Sequence, residues 1–257
     1  MMAVVTDAQL QAWLTAFLLP FFRILALFGA APVLSLRAFP ARTRIGLSLL
    51  LAATLAPSVA APVTDAAGGL LSWTGLGWIV RELAIGFAIG FAARLVFAAF
   101  DLAGEVIGLQ MGLSFAGFFD PQGGQGNAVG AFVNAVATLL FVSMNGPLLL
   151  IAATLRSFTT LPVGGLDEGV AARFDPVALG AEVFALGLLI ASPFLAMILF
   201  VNLLLGVMSR VAPQLSLFSI GFPVTIGVGM LLLAVGLGWI EGPMAQALGQ
   251  LFRMFGS

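Results

Sequence analysis

The chain has 257 residues, of which 61% are hydrophobic and 8% charged, with a net charge of −1 and a mean hydropathy of +1.16. Soluble domains carry about 25% charged residues, so this composition excludes one and describes an integral membrane protein. It contains no His, Cys, Tyr or Lys, which removes imidazole bases, thiolates, Ser-His and Ser-Lys pairs, Cys/His metal sites and haem ligation by His, and implies no cofactor.

Uncharged runs of about 18 residues or more recur, and apolar helices of about 20 residues cross a bilayer. The alternation of a barrel strand is absent. The fold class is therefore all-α, a polytopic membrane protein of kinked, proline-broken helices. Its near-neutral charge gives no basis for nucleic-acid binding, and lipid is an obligatory partner.

The N-terminus has an acid and no base, unlike a secretory signal, and is read as retained. Asp7 caps a first helix over Leu10–Leu19, and Pro20 interrupts the apolar run that continues to Leu36. Arg23 would cost about 2.5–3.5 kcal/mol facing lipid at mid-bilayer, so it belongs near an interface or against other protein. Arg37–Arg44 is the densest basic cluster; it reads as a cytoplasmic turn or as a surface for an acidic partner loop. Ile45–Val63 is the next expected span, ended by Pro57 and Pro62.

Leu70–Phe119 is a long apolar segment in which Gly86 and Gly90, then Gly104, Gly108 and Gly112, recur every four residues. Such spacing lets another backbone approach closely. Arg94, Asp101 and Glu105, seven and four residues apart, share one helical face. Mutual pairing is the expected solution, and a proton or ion relay the functional alternative. The doublet Arg81-Glu82 is adjacent rather than stacked and reads as an interface marker.

The segment then runs into Met111, three phenylalanines (Phe115, Phe118, Phe119), Asp120-Pro121 and a Gly/Gln stretch to Gly126. A polar loop like this stands at membrane depth only where protein buries it or it lines a cavity. It is either an extramembrane turn or a pore plug. Ala128–Leu155 is broken by Asn145-Gly146-Pro147, a turn signal. The polar stretch Arg156–Pro176 marks a boundary between a front part, 1–175, and a back part, 176–257. The back part is a two-helix unit, interrupted around Arg210–Thr225 and followed by a tail expected to lie amphipathically on the surface.

Three motifs now carry a resemblance. Glu105-Val-Ile-Gly-Leu-Gln-Met-Gly-Leu-Ser-Phe-Ala116 precedes Asp120-Pro121; Asn202-Leu-Leu-Leu-Gly206, Arg210-Val-Ala-Pro-Gln214 and Phe218-Ser-Ile-Gly-Phe-Pro223 follow; Pro40–Leu47 is a third, weaker match. In this order and over essentially the whole chain, the sequence resembles the FliR family of the flagellar type III protein-export gate, related to the T component of virulence secretion systems. One departure is Val224-Thr225, where the family often has a lysine.

The resemblance implies a non-enzymatic gate subunit in the bacterial inner membrane, at the flagellar basal body. It implies assembly with FliP and FliQ, with FlhB and FlhA nearby and unfolded flagellar proteins as substrates. The front part would be FliP-like and the back part a FliQ-like hairpin. The loop 111–126 would close the lumen, with Phe115, Phe118 and Phe119 blocking it, Gly117, Gly123 and Gly124 letting it move, and Met111, Asp120 and Pro121 completing the plug. Asn202, Arg210, Pro213, Gln214, Phe218 and Pro223 would serve subunit packing in the kinked hairpin. The competing readings are the virulence homologue and a proton-coupled transporter using Arg94, Asp101 and Glu105.

Overall fold

The computed structural model describes residues 7–35, 40–57, 72–113, 127–163, 176–211 and 221–256. These residues form eight helices and no strand. They are α1 (Asp7–Ala30), α2 (Ala41–Leu55), α3 (Trp73–Gln110), α4 (Ala128–Ser143), α5 (Gly146–Thr160), α6 (Pro176–Val211), α7 (Phe222–Val235) and α8 (Leu237–Gly256). Helix is the outcome a bilayer demands, because every backbone group must be paired within its own segment. Three helices are long and apolar enough to cross a membrane: Gln11–Ala30 in α1, Trp73–Gln110 and Val177–Val211. The count rises to five if the broken pairs α4/α5 and α7/α8 each make one span.

Three sequence expectations are corrected. Pro20 lies inside α1 rather than ending it; one lost hydrogen bond is tolerated in a membrane helix, whose neighbours re-satisfy the freed carbonyl. The expected span from Ile45 instead appears as α2, which starts at Ala41 and stops at Leu55, and 15 residues are too few to cross. The C-terminal tail is helical, but its apolar side is turned inward: Ile240, Met244, Ala247, Leu248 and Leu251 are all buried. Asn145-Gly146-Pro147 does separate two helices, with Asn145 in the left-handed region (φ 57°) and Pro147 in the first turn of α5, where its missing N–H is no loss.

The chain divides into two compact units and passes between them at 94/95, 144/145, 175/176 and 247/248. In the first unit, α1, α2, the front of α3 and α5 enclose a core that includes Leu19, Leu27, Phe28, Ile85, Ile89 and Leu150, all buried. Glycine sets the spacing. A Cβ on Gly90 would lie 2.7 Å from the Ala30 Cβ and 2.8 Å from the Ala31 nitrogen, and one on Gly86 would overlap the Arg23 carbonyl. Beyond α1 the chain makes a three-residue turn, the Leu34 N–H donating to the Pro32 carbonyl at 2.7 Å, with Val33 at φ 65°. That is a left-handed γ-turn centred on a β-branched residue, a strained arrangement.

In the second unit, the back of α3 packs on α4 through Phe97 and Phe141, whose rings meet edge to face at 5.4 Å. A Cβ on Gly104 would stand 2.6 Å from the Gly130 Cα. The i, i+4 glycine spacing thus operates at both ends of α3, as small-residue helix contacts require. On α6, Gly187 admits the Ala99 carbonyl and the Leu102 side chain, which would lie 3.0 and 2.8 Å from an added Cβ.

Candidate functional site

The glycine-rich loop is defined structurally by its two roots, both in the second unit. At the near root Met111 is fully buried. Its N–H donates to the Ile107 carbonyl at 3.0 Å, and its thioether fills the space over Gly229 of α7, 2.6 Å from where a Cβ would stand. Gly112 then takes φ +78° and ends the helix, with the Phe222 ring 2.9 Å from a would-be Cβ. A left-handed residue with no side chain is what a helix end of this kind needs.

At the far root Asn127 caps α4: its Oδ1 accepts the Val129 N–H at 3.0 Å. Its Nδ2 donates to the Gly104 carbonyl at 3.4 Å, and the side chain occupies the space left by Gly108. The chain therefore leaves α3 at Met111 and is tied back to the same helix at Gly104 and Gly108. Of the loop residues singled out from sequence, Met111 is placed here. Phe115, Gly117, Phe118, Phe119, Asp120, Pro121, Gly123 and Gly124 lie outside the described residues.

The expected charge trio on α3 is resolved into separate partnerships. Arg94 donates through Nη2 to the Ser35 hydroxyl at 3.2 Å. Asp101 accepts a short hydrogen bond from the Asn134 amide on α4. Glu105 lies over Gly130, its Oε1 3.0 Å from where a Cβ would be. The geometric reason is plain, since seven residues of helix rise about 10.5 Å, beyond direct contact for Arg94 and Asp101. All three side chains are exposed on the isolated chain.

The residues assigned to the kinked hairpin are dispersed. Asn202 is half-buried on α6, and Arg210 is exposed in its last turn, where a cation suits the helix dipole. Pro223 opens α7. Pro213, Gln214 and Phe218 lie outside the described residues.

The first unit holds a charge site that the sequence reading did not assemble. Arg23 on α1 and Glu82 on α3 are both fully buried and form a two-point ion pair, Nε to Oε2 at 2.6 Å and Nη2 to Oε1 at 3.0 Å. Nη1 donates to the Ser157 hydroxyl at 3.0 Å and Nη2 also to the Leu161 carbonyl at 2.9 Å. The Phe158 ring lies 4.0 Å beneath the guanidinium, a cation–π contact. Glu82 is thus no interface marker but the buried counter-charge of Arg23. A signal was present: Gly86 stands one turn beyond Glu82, and its missing side chain lets the Arg23 backbone approach.

Comparison with known proteins places this arrangement. Residues 14–251 match the family model described as bacterial export proteins, family 1. The chain is 42% identical over 231 residues to the flagellar biosynthetic protein FliR of Escherichia coli, covering 90% of this chain and 87% of that one. It is 32% identical over 255 residues to FliR of Caulobacter vibrioides, covering 96% and 100%, and 32% identical over 228 residues to FliR of Bacillus subtilis, covering 86% and 85%. The chain therefore belongs to the FliR family of flagellar biosynthetic proteins, among the bacterial export proteins of family 1, and is a membrane component of the flagellar export apparatus.

Proposed function

We propose that this chain is a structural and gating subunit of the flagellar protein-export channel in the bacterial inner membrane, with loop 111–126 closing the lumen until a substrate passes. The carrying observation is that both roots of that loop are fastened, the near one to α7 by Met111 over Gly229 and the far one to α3 by Asn127 against Gly104 and Gly108. A loop held at both ends, rich in Phe and Gly between them, suits a plug that yields without leaving its seat. Apolar side chains at a constriction exclude water and ions. On this reading the chain assembles with FliP and FliQ, beside FlhB and FlhA, as a FliP-like part, 1–175, joined to a FliQ-like hairpin, 176–257. It acts without catalysing a reaction.

The test is ion conductance across cells producing the chain with its partner subunits, wild type against deletion of 114–124. The deletion is expected to leak, and to stop leaking when the partners are omitted. An intact barrier with normal export would show an ordinary turn and overturn the plug. Asp101→Asn and Glu105→Gln, made in parallel, are expected to preserve export; abolished export there would favour a proton-coupled mechanism instead.

A further inference from the structure

The near root of the loop is one joint of a closed frame in the second unit. Leu102 of α3 lies 2.8 Å from where a Cβ at Gly187 of α6 would stand, and the Phe194 ring of α6 lies 2.7 Å from one at Gly236, the C-cap of α7. Met111 closes the frame by joining the end of α3 to Gly229 of α7. Each joint is a side chain in the gap left by a glycine, so each helix is braced by the other two. The buried stripe of α7 is Thr225, Gly229 and Leu233. The Thr225 hydroxyl donates to the Phe222 carbonyl of its own helix at 3.0 Å, so an apolar side chain covers this stripe without leaving a polar group unpaired.

Met111 fills the notch lengthwise. Its Cγ, Sδ and Cε stand 2.7, 2.6 and 2.6 Å from where a Gly229 Cβ would be, and the side chain is fully buried. The next residue, Gly112, leaves the helix at φ +78°. Phe222, two turns before Gly229 on the same face of α7, flanks Gly112 with its ring. A residue fixed in a notch is thus followed at once by one with the widest choice of backbone angles. Hinges form at element ends of this kind.

We infer, resting on the channel reading above, that α7 is the fixed seat of the gate: Met111 stays on Gly229 whether the channel is closed or open, and the loop swings about Gly112. Motion then stops at the frame, and the barrier re-forms because the root has not moved.

The test uses cells producing the chain with all its export subunits. Met111→Ala empties the notch and Gly229→Leu fills it, so each is expected to raise ion leak severalfold over wild type. In the double variant Met111→Ala/Gly229→Leu the side chain from α7 takes the room that Met111 gives up, and most of the barrier is expected to return. Leaks are compared at equal amounts of assembled complex, and Gly229→Ala carries the test if Gly229→Leu does not accumulate. The chain contains no cysteine, so Met111→Cys/Gly229→Cys forms a single bridge on oxidation, the new sulfur at 111 falling near the Cγ position. This variant is expected to export as fast bridged as reduced.

Tight barriers in both single variants, or a double variant as leaky as either, would show that this fit does not hold the gate. Export stopped by the bridge and restored by reductant would show that Met111 leaves α7 during opening, and a pair that never bridges would deny the contact; each overturns the inference. Deletion of 114–124 separates the two levels. No leak from the deletion defeats the channel reading itself, whereas a leaking deletion with any of these negative results defeats only the role of α7.

Discussion

Replacing one member of the Arg23–Glu82 pair should damage the protein more than replacing both. Two charges about 4 Å apart attract by about 4 kcal/mol at an effective dielectric near 20, and removing one partner of a buried pair typically costs about 3–5 kcal/mol. Arg23→Met leaves the buried Glu82 carboxylate with no other partner among the described residues. Glu82→Leu leaves the guanidinium with the Ser157 hydroxyl, the Leu161 carbonyl and the Phe158 ring, and arginine does not escape by losing its proton. Each single variant is therefore expected to lose about 3–5 kcal/mol. The double variant Arg23→Met/Glu82→Leu removes both charges and orphans chiefly the Leu161 carbonyl, a loss of about 1–3 kcal/mol. The assay is equilibrium loss of helicity in mixed micelles with increasing SDS, read as a double-mutant cycle. A double variant that loses the sum of the two single losses would refute the pairing.

Two further outcomes follow from the glycines and the strained turn. Gly108→Leu should displace Asn127, costing about 1–3 kcal/mol by overpacking and about 1 more through the lost cap; limited proteolysis should then cut between α3 and α4 earlier than in wild type, and unchanged cleavage would contradict the far root. Val33→Gly should release about 1–3 kcal/mol of backbone strain against about 1 kcal/mol of added chain entropy, so thermal stability should hold or rise, whereas a clear fall would mean the turn is not strained.

The helices were legible because bilayer chemistry leaves the chain few alternatives. The long apolar stretch containing Gly86, Gly90, Gly104 and Gly108 reads directly as α3, and its glycines read as places of close approach. Charge partners were less legible, since periodicity relates residues within a helix and not between helices. Arg94, Asp101 and Glu105 share a face by spacing, yet Arg94 and Asp101 found Ser35 and Asn134 on other segments. Spacing leaves Arg23 near an interface or against other protein and cannot name its counter-charge, which is 59 residues away and concealed in a doublet with Arg81. Proline was overread at position 20, where the surrounding apolar run carries the helix through. Membership of the family was legible from three motifs, of which the loop motif also contains Met111, the near root of the candidate site, but not Asn127, the far one.

The buried pair has a consequence for biogenesis. When α1 emerges from the ribosome its Arg23 lacks its native partners, because Glu82 follows 59 residues later and Ser157 comes 134 residues after Arg23. At about 5–20 residues per second, the wait for Glu82 alone is about 3–12 s. Through that interval a lone α1 in lipid carries an uncompensated arginine. Its stable state is therefore beside the insertion machinery or in the headgroup region, and α1 commits to the bilayer together with α3. On this account α1 is made well before it is settled, and the ion pair ties its placement to that of α3.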